Sequence, residues 1–243
     1  MAASLFTRHP VLFEDEGLLI INKPAGVLSH PNHEGKSSGC AFEGFYDFKE
    51  RCFASPAGPI WLIHRLDQET SGILLGAKNQ KSADLCLAAF EKKEVEKYYF
   101  ALVGRRPMPL HGKWRDTLTE RHTGNSVRVS VKRSGPPNAI LDYWVKDFFK
   151  KIDLSLLEIR LITGKTHQIR VQSAYHGSPV AGDRIYGNFG LNKALRQNLG
   201  LRRLFLHAWK LTLPHPSTGK LLEIRAPLPE ELEVCLAQAA SKR

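Results

Sequence analysis

The residues best suited to chemistry lie between positions 63 and 75. The carboxylate of Asp67 stands beside the pair His64 and Arg65 and is followed by a Thr-Ser-Gly turn at residues 70–72. The apolar run after this turn is typical of a buried strand. A residue on a short turn tied to a core strand is held firmly, and catalytic positioning requires such rigidity. The same pattern also fits an Asp67 that only caps its own turn through the backbone.

The composition sets the range of possible partners. The chain has 243 residues, of which 42% are hydrophobic and 24% are charged, so it can bury a full core. It has 35 Lys and Arg residues against 24 Asp and Glu, a net charge of +11 and a sequence pI of about 9.6. This excess favours a polyanionic partner, because Lys and Arg neutralise phosphates and release counterions. Charge alone leaves open a nucleic acid, an acidic protein, a membrane surface or no such partner.

The cysteines and the N-terminal residues bear on the cellular compartment. The four cysteines are irregularly spaced, without a Cys-x-x-Cys pair, which fits neither a zinc site nor a disulfide framework: Cys40, Cys52, Cys86 and Cys235. We expect reduced thiols. Residues 1–10 lack the apolar core of a signal peptide, and no run approaches the ~20 apolar residues of a membrane span. We therefore expect a cytoplasmic protein.

Hydrophobic periodicity predicts the main elements. Apolar residues from Ala83 to Phe90 recur at the spacing of an amphipathic helix, and residues 97–103 form an aromatic and aliphatic strand. A second helix is predicted over 166–176, and alternation over 205–226 predicts a hairpin. Residues 31–59, rich in Gly, Ser and Pro, are predicted to be a long loop containing some helix.

The segment from residue 105 to 133 is strongly basic. It contains eight Lys or Arg residues against two acids, and Val127, Val129 and Val131 alternate with polar residues. This pattern predicts a positively charged hairpin, which is the first candidate for phosphate contact. The alternative is an exposed sheet edge that is protected by charge.

Four motifs, in this order, resemble the RluA family of pseudouridine synthases. They are Asn-Lys-Pro-Ala-Gly at 22–26, His-Arg-Leu-Asp with Thr-Ser-Gly at 64–72, Gly-Lys-Thr-His-Gln-Ile-Arg-Val at 164–171, and Gly-Asp-Arg-Ile-Tyr-Gly at 182–187. The match runs from about residue 11 to residue 229. One such motif would be suggestive, whereas four in order carry much more weight.

Pattern and resemblance together predict the fold. Strands outnumber helices and short turns link many of them, which favours an α+β protein over a regular βαβ alternation. The resemblance implies one catalytic domain over residues 1–243, on a large mixed, mainly antiparallel β-sheet with a central cleft. Many members of the family add a small N-terminal RNA-binding domain. The first motif lies too close to residue 1 for such a domain, so we expect none, and no obligate protein partner is evident.

The resemblance also implies an activity, the isomerisation of specific uridines in tRNA or rRNA to pseudouridine without metal or cofactor. Asp67 matches the essential aspartate, and a carboxylate suits either a nucleophile or a base that generates a glycal intermediate. Arg170 is implied as its charged partner, the alternative being a pair with an acid such as Glu158. Tyr99 matches the tyrosine that stacks on uracil and removes the last ring proton, although the adjacent Tyr98 leaves the register open by one residue.

Further motif residues are implied in RNA contacts. Arg65 could fill the space left by the extruded uridine and His64 could position the RNA, whereas a solvent-facing Arg65 is the alternative. Lys23, with Asp183 and Tyr186, is expected in cleft architecture or phosphate positioning. Most relatives have His where this chain has Gln172, so that position receives no catalytic part.

Two other functional classes are compatible with parts of the sequence. A nonenzymatic RNA-binding protein that retains the synthase fold would need the basic surface but not Asp67, Tyr99 and Arg170. A nucleoside or glycoside hydrolase commonly needs paired carboxylates or a metal. The nearest acid to Asp67 is Glu69, which lies in the turn and shows no evident partner role.

Overall fold

A computed structural model describes residues 4–32, 39–123 and 126–242. Within them the strands, in chain order, are β1 (Val11–Glu14), β2 (Leu18–Lys23), β3 (Phe45–Asp47), β4 (Cys52–Ser55), β5 (Gly58–Leu62), β6 (Ser71–Ala77), β7 (Glu96–Gly104), β8 (His111–Thr123), β9 (Ser126–Lys132), β10 (Ala139–Phe149), β11 (Leu154–Leu161), β12 (Leu206–Pro214) and β13 (Leu221–Arg225). The helices are α1 (Gln80–Glu91), α2 (Gln168–Tyr175), α3 (Phe189–Leu199) and α4 (Glu230–Ala240), and a 3-10 turn spans Lys150–Ile152.

These residues form two compact units. The first contains the described residues up to 96 and residues 208–227, and the second contains residues 97–207 and 228–242. The chain passes from the second unit to the first within β12. The predicted single catalytic domain and the absence of an N-terminal RNA-binding domain stay predictions.

The first unit is an antiparallel sheet covered by one helix. β2 pairs with β1 and β6, and β3, β4, β5 and β6 pair in series, while β12 pairs with β13. All seven residues of β6 are buried, which explains its continuous apolar run. The stripe of α1 packs Ala83, Cys86 and Ala89 into the same core. Asn79 caps this helix by accepting a hydrogen bond from the Ser82 amide at 2.9 Å.

The second unit is also antiparallel. Its strands follow the order β7, β11, β10, β8 and β9, so β9 lies at an edge. One hydrophobic cluster joins α3 and α4 to the sheet through residues such as Leu102, Leu195, Phe205 and Leu232. The apolar faces of α3 and α4 are buried in this cluster, and this packing stabilises helices that are too short to be stable alone.

The structure confirms the α+β class and the elements with a clear period. The predicted helices appear as α1 and α2, the basic segment forms the hairpin of β8 and β9, and the C-terminal hairpin is β12 with β13. All four cysteines are buried and form no disulfide.

Two elements differ from the predictions. The expected helix within residues 31–59 is wrong for the described part of that stretch, which contains β3, β4 and β5. Tyr46 and Phe53 pack together there, with ring centroids 4.7 Å apart, because burial of aromatic rings outweighs the local turn signals. The helix α3 was not predicted, although Asn188 caps its start and Gly200 follows its end at φ 63°.

Candidate active site

Asp67 lies on a loop that backbone and side-chain hydrogen bonds hold in place. It is half-buried, and its carbonyl accepts a hydrogen bond from the Thr70 amide at 3.0 Å, closing the turn. The preceding residue, Leu66, is fixed by the buried Ser29, whose hydroxyl donates to the Leu66 carbonyl at 2.8 Å and accepts from its amide at 3.0 Å. The backbone on both sides of Asp67 is therefore anchored, as the sequence pattern predicts.

Lys23 holds the same loop in place through hydrogen bonds to backbone carbonyls. Its side chain is fully buried, and its ammonium group donates to the carbonyls of Pro24 at 2.9 Å, Val27 at 2.7 Å and Gln68 at 3.2 Å. The Gly26 amide also donates to the Gln68 carbonyl, at 2.8 Å. These bonds tie the first motif to the Asp67 motif, so they favour an architectural role for Lys23. Its predicted contact with RNA stays a prediction.

Gly72 is the last residue of the Thr-Ser-Gly turn, and its backbone conformation and surroundings require a glycine. Its φ is +116°, a conformation that L residues rarely adopt. A Cβ atom at this position would lie 2.2 Å from the carbonyl oxygen of Ala208 in β12. The strand that follows the Asp67 loop can therefore approach the β12 backbone only with glycine here.

His64 and Arg65 make different contacts. The Nε2 atom of His64 accepts a hydrogen bond from the Leu75 amide at 3.2 Å, and its ring stacks on Phe90 with centroids 5.6 Å apart. Arg65 is exposed, and its guanidinium lies 3.1 Å from Nε2 of His30. The structure thus ties His64 to β6 and α1 and leaves the head of Arg65 at the surface. Their roles toward RNA stay predictions.

His30 is a contact of Arg65 that sequence reasoning missed. Its ring stacks on Tyr46 with centroids 5.4 Å apart, and Nδ1 lies 2.8 Å from the Pro31 carbonyl. Burial lowers the pKa of His30, the hydrogen bond to Pro31 opposes this, and the charges of Arg65 and Arg51 lower it further. The net pKa lies below the ordinary value, which favours a neutral ring that can accept a hydrogen bond from Arg65. The contact between residues 30 and 65 arises from the tertiary fold, so no spacing in the sequence could indicate it.

Tyr99 lies on β7 in the second unit. It is 6% exposed, whereas Tyr98 is half-buried, and Tyr99 pairs with Ile159 of β11. The two tyrosines point to opposite faces of the sheet, as adjacent strand residues must. Lys97 shares the face of Tyr99, and burial lowers the pKa of its ammonium group. The assignment of Tyr99 to the reacting uracil stays a prediction.

Arg170 and Asp183 form a buried ion pair within the second unit. Arg170 Nε donates to one carboxylate oxygen at 2.8 Å and its terminal nitrogen donates to the other at 3.0 Å. Their side chains are only 4% and 1% exposed. Burial alone would raise the pKa of Asp183. The Arg170 hydrogen bond and charge, with the amides of Tyr186 and Ile185, outweigh it and hold the pKa below its ordinary value.

This pair adds a partner of Arg170 that sequence reasoning did not indicate, and the predicted pairing of Arg170 with Asp67 stays a prediction. The open alternative was a pair with an acid such as Glu158, whose carboxylate lies 3.3 Å from Lys146. Sequence reasoning placed Asp183 in the architecture of the site but missed it as an Arg170 partner. The motif at 182–187 was the available signal, because it supplies a carboxylate that a buried arginine requires.

Gln172 has a structural part, and the expectation that it has no catalytic part stays a prediction. Its amide nitrogen donates to Asp116 at 2.7 Å, and its carbonyl oxygen accepts from Gln168 at 3.0 Å. Asp116 also lies 3.0 Å from Nε2 of His176, whose ring stacks on Trp114. This network fixes α2, and with it Arg170, to β8.

The predicted site residues are divided between the two units. Lys23, His64, Arg65 and Asp67 lie in the first, and Tyr99 and Arg170 lie in the second. Among the described residues, no cluster of three or more His, Cys, Asp or Glu side chains is placed to hold a metal ion. In the same part of the chain, no helix is long and apolar enough to cross a membrane.

Comparison with known proteins defines the class. The sequence profile described as RNA pseudouridylate synthase matches residues 17–175. The ribosomal large subunit pseudouridine synthase C of Vibrio vulnificus (strain CMCP6) is 35% identical over 240 residues, which cover 96% of this chain and 70% of that protein. The protein of the same name from Escherichia coli (strain K12) is 33% identical over 243 residues, with the same coverage of 96% and 70%.

Solved structures agree with this class. Human RNA Pseudouridylate Synthase Domain Containing 4 matches with a TM-score of 0.72 and 26% identity, covering 95% of this chain and 93% of that chain. The chain therefore belongs to the RNA pseudouridylate synthase family, and the resemblance to its RluA branch is confirmed. It is an RNA pseudouridine synthase, an isomerase.

Proposed function

We propose that this synthase isomerises specific uridines of ribosomal or transfer RNA with Asp67 as its nucleophile or base. The single observation that carries the proposal is the Asp67 loop, where a half-buried carboxylate stands on a backbone fixed by Ser29 and Lys23. Rigid positioning of a reacting group removes much of the entropy cost of the reaction. The relatives called ribosomal large subunit pseudouridine synthase C point first to RNA of the large ribosomal subunit.

The reaction breaks the bond between N1 of uracil and the ribose, rotates the base and rejoins it through C5. Atoms balance without an external reactant, because the product is an isomer of the substrate. Asp67 either attacks the substrate to form a covalent intermediate or removes a sugar proton to form a glycal. Both routes need a carboxylate that is ionised when uridine arrives.

Arg170 and Tyr99 complete the proposed machinery. Arg170 remains charged at every relevant pH, and its bond to Asp183 fixes the guanidinium in one orientation. In this proposal it is the charged partner of Asp67. The ring of Tyr99 stacks on the detached uracil, and its hydroxyl relays the proton lost from C5: the oxygen accepts that proton as its own proton passes to water, and N1 of the rotated base takes one up from water, so that the number of protons is unchanged.

The basic hairpin, defined as β8 and β9, supplies a surface for RNA phosphates. Its outward face carries Lys113, Arg115, Arg121, Arg128 and Lys132, all exposed. Arg121 and Arg128 stand directly opposite each other across the two strands. Like charges in that position destabilise a sheet, and an RNA phosphate would relieve the repulsion.

The decisive experiment measures tritium release from C5-labelled uridine in separate rRNA and tRNA pools from cells that lack this protein. Wild type should release tritium from one pool, and Asp67→Asn should abolish release while RNA affinity stays within about tenfold. Glu69→Gln is the matched control, because it removes a carboxylate from the same turn and should retain turnover. Full activity of Asp67→Asn would refute the role of Asp67.

A second experiment tests the phosphate surface. Arg121→Gln with Arg128→Gln should weaken RNA binding and reduce the slope of log affinity against log salt by about 1–2. Lys92→Gln with Lys93→Gln removes the same charge from exposed positions after α1 and should leave the slope unchanged. Equal effects of the two double variants would show that net charge, not the hairpin, determines binding.

The remaining expectations are part of the same proposal. Turnover on purified RNA should persist in EDTA, since the isomerisation described above requires no metal. A metal-dependent recovery of activity would contradict this. The cytoplasmic location and the absence of an obligate protein partner stay predictions.

A further inference from the structure

Tyr186 lies between the basic hairpin and the helix that carries Arg170. It belongs to the segment between α2 and α3, where the Asp183 carboxylate accepts hydrogen bonds from the amides of Ile185 at 2.8 Å and Tyr186 at 3.1 Å. These bonds fix the backbone of Tyr186 to the partner of Arg170. The position of its ring is therefore coupled to the buried ion pair.

The Tyr186 ring covers the Arg170 guanidinium. The central carbon of the guanidinium lies 5.4 Å from the ring centroid, within the range of a cation–π contact. The same ring meets that of His167 edge to face, with centroids 5.5 Å apart. His167 precedes the first residue of α2 and has a left-handed backbone with φ 53°. Tyr186 thus contacts both the start of α2 and its arginine.

The Tyr186 hydroxyl reaches the hairpin. It accepts a hydrogen bond from the Val129 amide of β9 at 3.0 Å and lies 2.8 Å from Nδ1 of His167. Because β9 is the edge strand of the second unit, its outward amides lack a neighbouring strand, and Tyr186 serves as the acceptor for one of them. Val129 is 4% exposed and packs with Leu118 and Val171, so the contact between β9 and Tyr186 lies beside a buried apolar cluster.

We propose that Tyr186 is a positioning residue that couples the basic hairpin to the orientation of α2 and Arg170. RNA phosphates on the outward face of the hairpin fix β9, and β9 fixes the start of α2 through the Tyr186 hydroxyl and His167. The inference rests on the proposed function in taking Arg170 as part of the active site. Binding of RNA to the hairpin then also brings Arg170 into its final position.

Hydrogen–deuterium exchange tests the coupling without catalysis. The probe is an RNA duplex that lacks uridine, which offers phosphates but no reactive base. In wild type this RNA should slow exchange both in β8–β9 and in the first turn of α2. In Tyr186→Phe, protection of the hairpin should persist while that of α2 falls by about fivefold or more. Equal α2 protection in the two proteins would overturn the proposal.

Tyr175→Phe is the matched control, because it removes an exposed tyrosine hydroxyl from the other end of α2. It should behave as wild type in the exchange measurement. If the Tyr186 variant does not fold, His167 provides a second test. His167→Gly suits the left-handed backbone but removes the ring, and should lose the α2 response. His167→Asn keeps a polar atom close to the position of Nδ1 and should restore it.

Kinetics give an independent test. With substrate RNA, Tyr186→Phe should lower kcat by about tenfold with little change in the dissociation constant. In a hairpin that already carries Arg121→Gln and Arg128→Gln, the same change should have a smaller effect, because the coupled event is already impaired. Additive effects would overturn the coupling. Lack of turnover by wild type would instead refute the proposed function, and the exchange experiment would still decide the coupling.

Discussion

Lys23 and Arg170 are both buried cations, but the protein surrounds them differently. Lys23 lies in the first unit and donates to three backbone carbonyls, those of Pro24, Val27 and Gln68. Arg170 lies in the second unit and donates its planar fork to the carboxylate of Asp183. These three acceptors of Lys23 are neutral dipoles, whereas Asp183 offers Arg170 a charge.

The difference shows how each cation contributes to a site. An ammonium group is a compact charge with three donors, so it can gather a loop whose carbonyls converge on one point. A guanidinium is planar and pairs with both oxygens of a carboxylate, which fixes its own orientation. Lys23 therefore determines the path of the Asp67 loop, and Asp183 determines the orientation of Arg170.

Removing Arg170 should have the largest effect on stability. Arg170→Met leaves the Asp183 carboxylate buried without this cation, which should cost about 3–5 kcal/mol of unfolding free energy. Urea unfolding followed by circular dichroism would measure the loss. The double variant Arg170→Met with Asp183→Asn should recover part of it, because the buried charge is gone. A double variant no more stable than the single one would show that packing, not charge, dominates.

Removing Lys23 should cost less. Lys23→Met deprives the Pro24 and Val27 carbonyls of a charged donor, for a loss of about 1.5–3 kcal/mol. The same unfolding measurement applies, with Lys81→Met, an exposed lysine on α1, expected within about 0.5 kcal/mol of wild type. A loss as large as that of Arg170→Met would show that Lys23 contributes as much stability as the buried ion pair.

The contributions of the two cations to the free energy of unfolding should differ in their dependence on pH. The pKa of Asp183 is lowered in the folded state, so the unfolded chain takes up the proton first as pH falls. Its stabilisation is complete above the unfolded value near 3.9 and is lost as pH falls through the folded pKa, by at most about 1.4 kcal/mol per pH unit. Unfolding free energies of Asp183→Asn from pH 5 to 2 should lack this component. Lys23→Met should retain it, and a matching loss in that variant would contradict the assignment to Asp183.

The exposed Arg65 should show the smallest effect. Its charge helps to hold the pKa of His30 below the ordinary value, after the larger contribution of burial. Arg65→Gln should therefore raise the His30 pKa toward 6.5 without reaching it, as measured by NMR titration of the ring. An unchanged His30 pKa would show that the contact at 3.1 Å is not maintained in solution.

Short motifs and clear periods made much of this protein predictable. The stripe of α1 and the alternation in β9 and β12 depend on local spacing, so sequence alone located them. The same holds for the rigid loop around Asp67, since a turn followed by an apolar run has few other solutions. The segment 45–62 was misjudged because strands of three to five residues are too short to show a period.

Long-range partners were beyond the reach of spacing. Ser29 with Leu66, His30 with Arg65, and Tyr186 with Val129 are joined across 37, 35 and 57 positions. Each contact depends on how strands and loops pack, and packing is a property of the whole fold. The geometry that holds the candidate residues could therefore be read only from coordinates.

The sequence by itself determined the family, the α+β class, the excess of positive charge and the identity of Asp67 as the candidate reactive carboxylate. These follow from residue types at fixed short separations, which local chemistry constrains. Only the tertiary structure decided that Lys23 supports a loop, that Asp183 holds Arg170 and that Tyr186 connects Arg170 to the hairpin. A buried charge or donor must find a partner wherever the fold places one, and its distance along the chain does not reveal which residue that will be.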